Sequence, residues 1–227
     1  SRNRRTGTVP EVLSGRLDAE SSAVGPVKNG AADRRCGYVR VVCSDERGGQ
    51  VRIIAGRLGG RIFDSPSTHR THPMSEKARG AIFNALGDIT GLRILDAYAG
   101  SGALAIEAVS RGARSVLAID VDVEAVKTIA RNIAALGLEE QVTVRRKNIS
   151  GWSRNNIDQK FDVVFADPPY TDIRPDVLKR LTVHVAADGI FVLSWPGNEA
   201  VRDFAGFTVA AHKPLGDIQL IFYRRGR

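Results

Sequence analysis

Cysteine is nearly missing from this chain: Cys36 and Cys43 are the only two and are not spaced as a CxxC pair. That supports neither a disulfide framework nor a thiolate metal site. Histidine is also scarce, with four in all and only His69 and His72 close together, so an imidazole metal centre is not expected either. No run of 18 or more apolar residues occurs and no basic-then-apolar leader opens the chain, which leaves no candidate membrane span or secretion signal. The expectation is a soluble, cytoplasmic protein and a monomer. Acid is in deficit: 25 Asp and Glu stand against 33 Lys and Arg, a formal charge of +8. Such an excess favours a polyanionic partner, because Lys and Arg contacts to phosphate supply most non-specific nucleic-acid affinity. Part of the excess is local. Between Val51 and Gly80, Arg52, Arg57, Arg61, Arg70, Lys77 and Arg79 face only Asp64 and Glu76.

With 227 residues there is room for one α/β domain of about 180 residues plus an appendage. Residues 1–49 are rich in Gly, Ser, Arg and Ala without sustained periodicity, and read as a disordered leader. Residues 50–90 form a basic extension. Val51 to Phe63 alternates apolar residues and arginines around a Gly-rich turn, the pattern of a β-hairpin. His72 to Leu86 reads as a capped helix with Ser75 as N-cap and Ala78, Ile82, Ala85 and Leu86 on its apolar face. From residue 91 to the end, strand and helix patterns alternate, which forces a mostly parallel sheet with helices on both faces. Expected helices include Val123–Leu136, Asp176–Val185 and a short one near Asn198–Phe204. Thr208–His212 and Ile218–Tyr223, joined by Lys213 to Asp217, read as a terminal antiparallel hairpin.

Within that alternation, Ile94 to Ala97 is a short apolar strand that breaks into Tyr98-Ala99-Gly100-Ser101-Gly102 and then into a run of helix formers from Ala103. Glycines at the bend let a ligand approach the backbone, and the new helix points its free N–H groups at it. This is a nucleotide-type cofactor site. Gly100-Ser101-Gly102-Ala103-Leu104-Ala105 also satisfies a loose dinucleotide pattern, with Asp120 about 20 residues on. Asp96, at the strand end before the glycines, tilts the choice: a carboxylate there repels a pyrophosphate and attracts the ammonium and sulfonium charges of S-adenosyl-L-methionine. Asp120 is placed to accept from ribose hydroxyls, with Asp122 an alternative that also suits a helix cap. Asn148, with Ile149 after it, follows the third strand and is placed against the adenine, although an Asn there is also an ordinary turn residue.

A second motif, Asp167-Pro168-Pro169-Tyr170, follows the strand Phe161 to Ala166. Ligands in open parallel sheets bind beyond the carboxyl ends of strands, so this tetrapeptide belongs beside the glycine loop. An exocyclic amine is a weak nucleophile because its lone pair is delocalised into the base. Acceptors on its two N–H bonds, the Asp167 carboxylate and the Pro168 carbonyl, favour a pyramidal nitrogen aimed at a methyl group. Two prolines fix the backbone, and Tyr170 offers a stacking face.

Arg52-Ile53-Ile54-Ala55-Gly56-Arg57, His72-Pro73-Met74-Ser75-Glu76-Lys77-Ala78-Arg79-Gly80, Asp96 to Leu104 and Asp167-Pro168-Pro169-Tyr170 together resemble the bacterial RsmD family over about Val51 to Arg227. The resemblance implies a Rossmann-like class I methyltransferase whose mostly parallel sheet ends in an antiparallel hairpin. It implies transfer from S-adenosyl-L-methionine to the N2 amine of a guanine in 16S ribosomal RNA, in a small-subunit particle or assembly intermediate. Asp120 stands where the family often has Glu, His72 where many members have Arg, and Asn148 where Asp is common. Two rivals remain at this point: a DNA adenine-N6 or cytosine-N4 methyltransferase, since the tetrapeptide serves any exocyclic amine, and a non-catalytic RNA-binding assembly factor. No separate DNA target-recognition domain is evident in the chain.

Overall fold

The computed structural model describes residues 49–66 and 74–226. Residues 1–48 of the expected leader, Arg70 and the His69–His72 pair lie outside them. The basic extension begins as two short antiparallel strands, β1 (Gln50–Arg52) and β2 (Ile62–Asp64), in register at Val51 and Phe63. Helix α1 (Glu76–Leu86) follows, and the Ser75 hydroxyl accepts from the Ala78 amide, the expected N-cap.

The remainder is a seven-stranded sheet in the order β5-β4-β3-β6-β7-β9-β8. Its members are β3 (Arg93–Asp96), β4 (Ser115–Asp120), β5 (Val142–Arg146), β6 (Phe161–Ala166), β7 (Val185–Pro196), β8 (Phe207–Leu215) and β9 (Ile218–Arg225). From β5 to β7 in that order neighbouring strands are parallel, whereas β9 runs antiparallel to both of its neighbours. Crossovers are made by α2 (Ala103–Ser110), α3 (Val123–Leu136), α4 (Ile149–Asn155) and α5 (Pro175–Leu181). Successive strand residues point to opposite faces. Ile94 therefore joins the apolar layer under α1, α2 and α3, while Leu95 joins the layer under α4 and α5. The first layer also takes in Val51, Ile53, Leu58 and Phe63 of the extension, so the core runs unbroken across residue 90.

The extension is held to this layer by polar side chains as well. Glu107, only 1% exposed, accepts from the Ile54 and Ala55 amides at 2.7 and 3.1 Å and pairs with Arg111. The Ser110 hydroxyl accepts from the Leu58 amide and donates to the Ala55 carbonyl. Asn132 exchanges two bonds with the backbone of Asp64. Gly56, at φ +83°, lies so close to α2 that a Cβ there would sit 1.9 Å from the Ser110 carbonyl oxygen.

Three expectations about elements change. No helix forms over residues 198–204, because that segment is pinned as a loop. Gln219 donates to the Pro196 and Glu199 carbonyls and Tyr223 to that of Arg202. Helix α5 stops at Leu181, and a 3-10 turn over Thr182–His184 leads straight into β7. Lys213, Pro214 and Leu215 belong to β8 rather than to a loop, which is tolerable for a proline because β8 is an edge strand. No helix among the described residues is long and apolar enough to cross a membrane.

Candidate active site

Strand order reverses between β3 and β6: the chain moves outward from β3 to β4 and β5, then returns to place β6 on the other side of β3. Asp96 lies opposite Phe165 in the β3–β6 register, so the glycine loop after β3 and the tetrapeptide after β6 leave the sheet side by side. This is where an open α/β sheet binds ligands.

The glycine loop is tied down by the next strand. Asp120, at the end of β4, accepts from the Gly100 amide through Oδ2 at 2.7 Å and from the Asp122 amide through Oδ1 at 2.9 Å. Each oxygen keeps a second lone pair for a hydroxyl. Gly102 caps α2 at φ +77°, where a Cβ would meet Ile129 Cγ1 at 3.0 Å. The left-handed backbone favours glycine there, and a Cβ would also press on Ile129. Ser101 is buried beside it and Tyr98 is half-buried, the pKa of its phenol pushed up to about 12 by burial and by Asp172.

Asp96 is 1% exposed and neither carboxylate oxygen has a well-formed hydrogen bond. Burial, with Asp167 and Asp120 adding to it, pushes its pKa up to about 7, although the Ala105 and Tyr98 amides draw it partly back. Three carboxylates thus converge from three adjacent strand ends. A buried acceptor without a partner is costly, and a cationic ligand relieves that cost where a pyrophosphate would add to it. These residues fit S-adenosyl-L-methionine better than a dinucleotide.

On the β6 side, burial raises the pKa of Asp167, and a hydrogen bond from Ser194 offsets part of the rise. The Ser194 hydroxyl also lies 2.8 Å from the Tyr170 hydroxyl. With Ser194 donating to Asp167, Tyr170 donates to Ser194, a chain of hydroxyls that fixes the acid and the ring together. Tyr170 is 40% exposed, leaving its ring open to a base. Pro168 is buried and Pro169 exposed. The sequence carries no signal for Ser194: it sits on β7 with no local signature, and only the β6–β7 pairing brings it near.

Other expected residues fall elsewhere. The Asn148 side-chain oxygen, the atom needed to accept from an adenine amine, instead accepts from the Ser150 and Gly151 amides as the N-cap of α4. Ile149 is buried behind it at 7%. Asp122 caps α3 through the Glu124 and Ala125 amides. Arg52, Arg57, Arg61 and Lys77 are exposed, as an RNA-contacting surface requires. Arg79 is not: it is 2% exposed and donates to the Met74 and Arg52 carbonyls at 2.8 and 2.6 Å. Its guanidinium joins α1 to the hairpin, and burial lowers its pKa. No cluster of metal-ligating side chains occurs among the described residues.

Known proteins are similar to this chain in sequence and fold. The family model described as conserved hypothetical protein 95 matches residues 51–224. The ribosomal RNA small subunit methyltransferase D of Escherichia coli K12 is 32% identical over 154 residues, covering 67% of this chain and 73% of that protein. YlbH of Bacillus subtilis is 34% identical over 134 residues, 58% of this chain and 73% of its own. Among solved structures, the yhhF protein of Escherichia coli superposes with a TM-score of 0.70 at 26% identity, covering 78% of this chain and 99% of that one. With the glycine loop and the acidic tetrapeptide at adjoining strand ends, the chain belongs to the conserved hypothetical protein 95 family, the RsmD family, and is a methyltransferase.

Proposed function

We propose that the protein transfers a methyl group from S-adenosyl-L-methionine to the N2 amine of a guanine in 16S ribosomal RNA, presented in a small-subunit particle or assembly intermediate. The observation that carries this reading is the meeting of the orphaned Asp96 carboxylate and the Asp167 tetrapeptide at the ends of paired strands. The name of the Escherichia coli relative supports the choice of ribosomal RNA.

The bound donor would supply an electrophilic methyl group on a sulfonium whose departure leaves a neutral thioether. Asp96 would hold the donor's cationic end, Gly100 and Gly102 would let it approach the backbone, and Asp120 would accept from its ribose hydroxyls. Asp167 and the Pro168 carbonyl would accept from the two N–H bonds of the guanine amine and turn its lone pair toward the donor. Tyr170 would stack on the flipped-out base, a contact worth about 1–3 kcal/mol. Holding reacting atoms in line supplies much of the acceleration. No strong base is needed beforehand, since the nitrogen becomes acidic as it gains the methyl group.

The test is transfer of labelled methyl to small subunits lacking the modification, with naked ribosomal RNA and duplex DNA in parallel, followed by nucleoside mass analysis. N2-methylguanosine, lost in Asp167→Ala, is the expected result. Label on adenine or cytosine in DNA would overturn the acceptor, and donor binding without any transfer would leave only an RNA-binding role.

A further inference from the structure

Parallel sheets are normally covered on both faces, and among the described residues part of one face of this sheet is not. Among the described residues, the face of β4 and β5 opposite α2 and α3 carries no covering element, because α4 has only seven residues and packs toward β6, with Trp152 against Phe161. The result is a groove of about 460 Å³ that runs from the start of β3 to the end of β5. Its floor includes Leu117, half-buried, and Thr143, exposed, and Trp152 of α4 forms one wall.

Three cations line it, Arg93, Arg145 and Lys147, and among the described residues no carboxylate does. All three are exposed, and among the described residues none forms an ion pair. The Arg93 guanidinium lies over the Phe161 ring at 5.5 Å, and Arg145 makes only a long bond to the Val144 carbonyl at 3.4 Å. Asp162, the nearest acid on β6, is turned to the Arg93 amide at 2.7 Å. Arg145, near the end of β5, and Lys147, the residue just past that end, both line the groove. The Lys147 amide donates to the Asp120 carbonyl at 2.9 Å, so the groove ends beside the donor loop.

We infer that this groove is an RNA-binding site, distinct from the basic hairpin, that grips the sugar–phosphate backbone of the substrate next to the donor site. The inference rests on the reading that the acceptor is RNA. The hairpin and the groove lie on opposite faces of the sheet, so the RNA is gripped from both sides of the β5 edge.

The experiment compares the full chain with a triple variant, Arg93→Gln, Arg145→Gln and Lys147→Gln, and with a control triple neutralised elsewhere at Lys127, Arg131 and Lys179. Binding to naked small-subunit ribosomal RNA is followed against salt, together with S-adenosylhomocysteine binding and steady-state methyl transfer. The groove triple is expected to flatten the slope of log affinity against log salt by about two units, at roughly 0.7 for each single-strand phosphate no longer neutralised. Its KM for RNA should rise on the order of tenfold with kcat and S-adenosylhomocysteine affinity unchanged, and the control should behave as wild type. The single variant Arg145→Gln should show about a third of the slope change, which protects the test against a misfolded triple. Equal effects in both triples, or none in the groove triple, would overturn the inference and leave these cations as protection for an edge strand. RNA binding that depends on the groove without any methyl transfer would uphold the groove and sink the functional reading instead.

Discussion

Asp96 is a buried carboxylate with no well-formed hydrogen bond, and the proposed donor site turns on it. Its folded pKa, about 7, lies above the ordinary carboxylate value near 4, so the folded chain binds a proton that the unfolded chain releases. Stability from this group is therefore fully present below about pH 4 and is lost as pH rises through 7. Asp96→Asn should melt at a higher temperature than wild type at pH 8, with the gap narrowing steadily as pH falls and closing only below about pH 4, in calorimetric scans without donor. The same variant should bind S-adenosyl-L-methionine roughly 10–100-fold more weakly at pH 8, as expected when a charged hydrogen-bond acceptor is removed. Wild type should release a proton on binding donor near pH 7, visible as a dependence of binding heat on the buffer's ionisation enthalpy. Ser194 makes a different prediction. Removing its hydroxyl in Ser194→Ala frees Tyr170 and Asp167 from each other. We expect kcat to fall about tenfold or more, in line with looser positioning of the reacting groups, with donor affinity unchanged and the acid limb of the pH–rate profile displaced upward. A purely structural role would lower the melting point and leave that limb in place.

At the scale of elements, the hairpin is a docked part of the fold. Gly56→Ala must push against the Ser110 carbonyl at a left-handed φ and should cost about 1–3 kcal/mol in urea unfolding. The chain's regular elements are largely legible in its sequence, because Val123–Leu136 carries a clean apolar stripe and the strands before Gly100 and Asp167 end in turn-forming residues. What the sequence hides is non-local. The loop at 198–204 has helix-forming residues, but Gln219 and Tyr223 capture the carbonyls of Glu199 and Arg202 from 20 and 21 residues further on. Arg79 reads as a surface cation beside Lys77, yet its place on α1 turns it inward to the Arg52 carbonyl. Asn148 shows the same limit at the site: its position at a strand end is readable, while the cap bond that occupies its oxygen depends on where α4 starts.

For the molecule as a whole, the extension and the sheet share one apolar layer. A chain beginning at Met74 loses Val51, Ile53, Leu58 and Phe63 from it, about 6–12 kcal/mol of burial, against a total stability of about 5–15 kcal/mol. Such a truncation should show no cooperative melt by circular dichroism, and in the full chain the amides of Ile54, Ala55 and Leu58 should exchange with solvent as slowly as those of β3. Helix α2 makes that union directional. It opens at Gly102, against the glycine loop, and closes at Glu107 and Ser110, against the hairpin. One inserted residue between them would rotate both polar side chains by about 100°, away from the amides they hold. The interval from Gly102 to Ser110 is thus a ruler of fixed length: sequence drift can exchange its apolar residues, but a single-residue insertion or deletion there would uncouple the two ends at once.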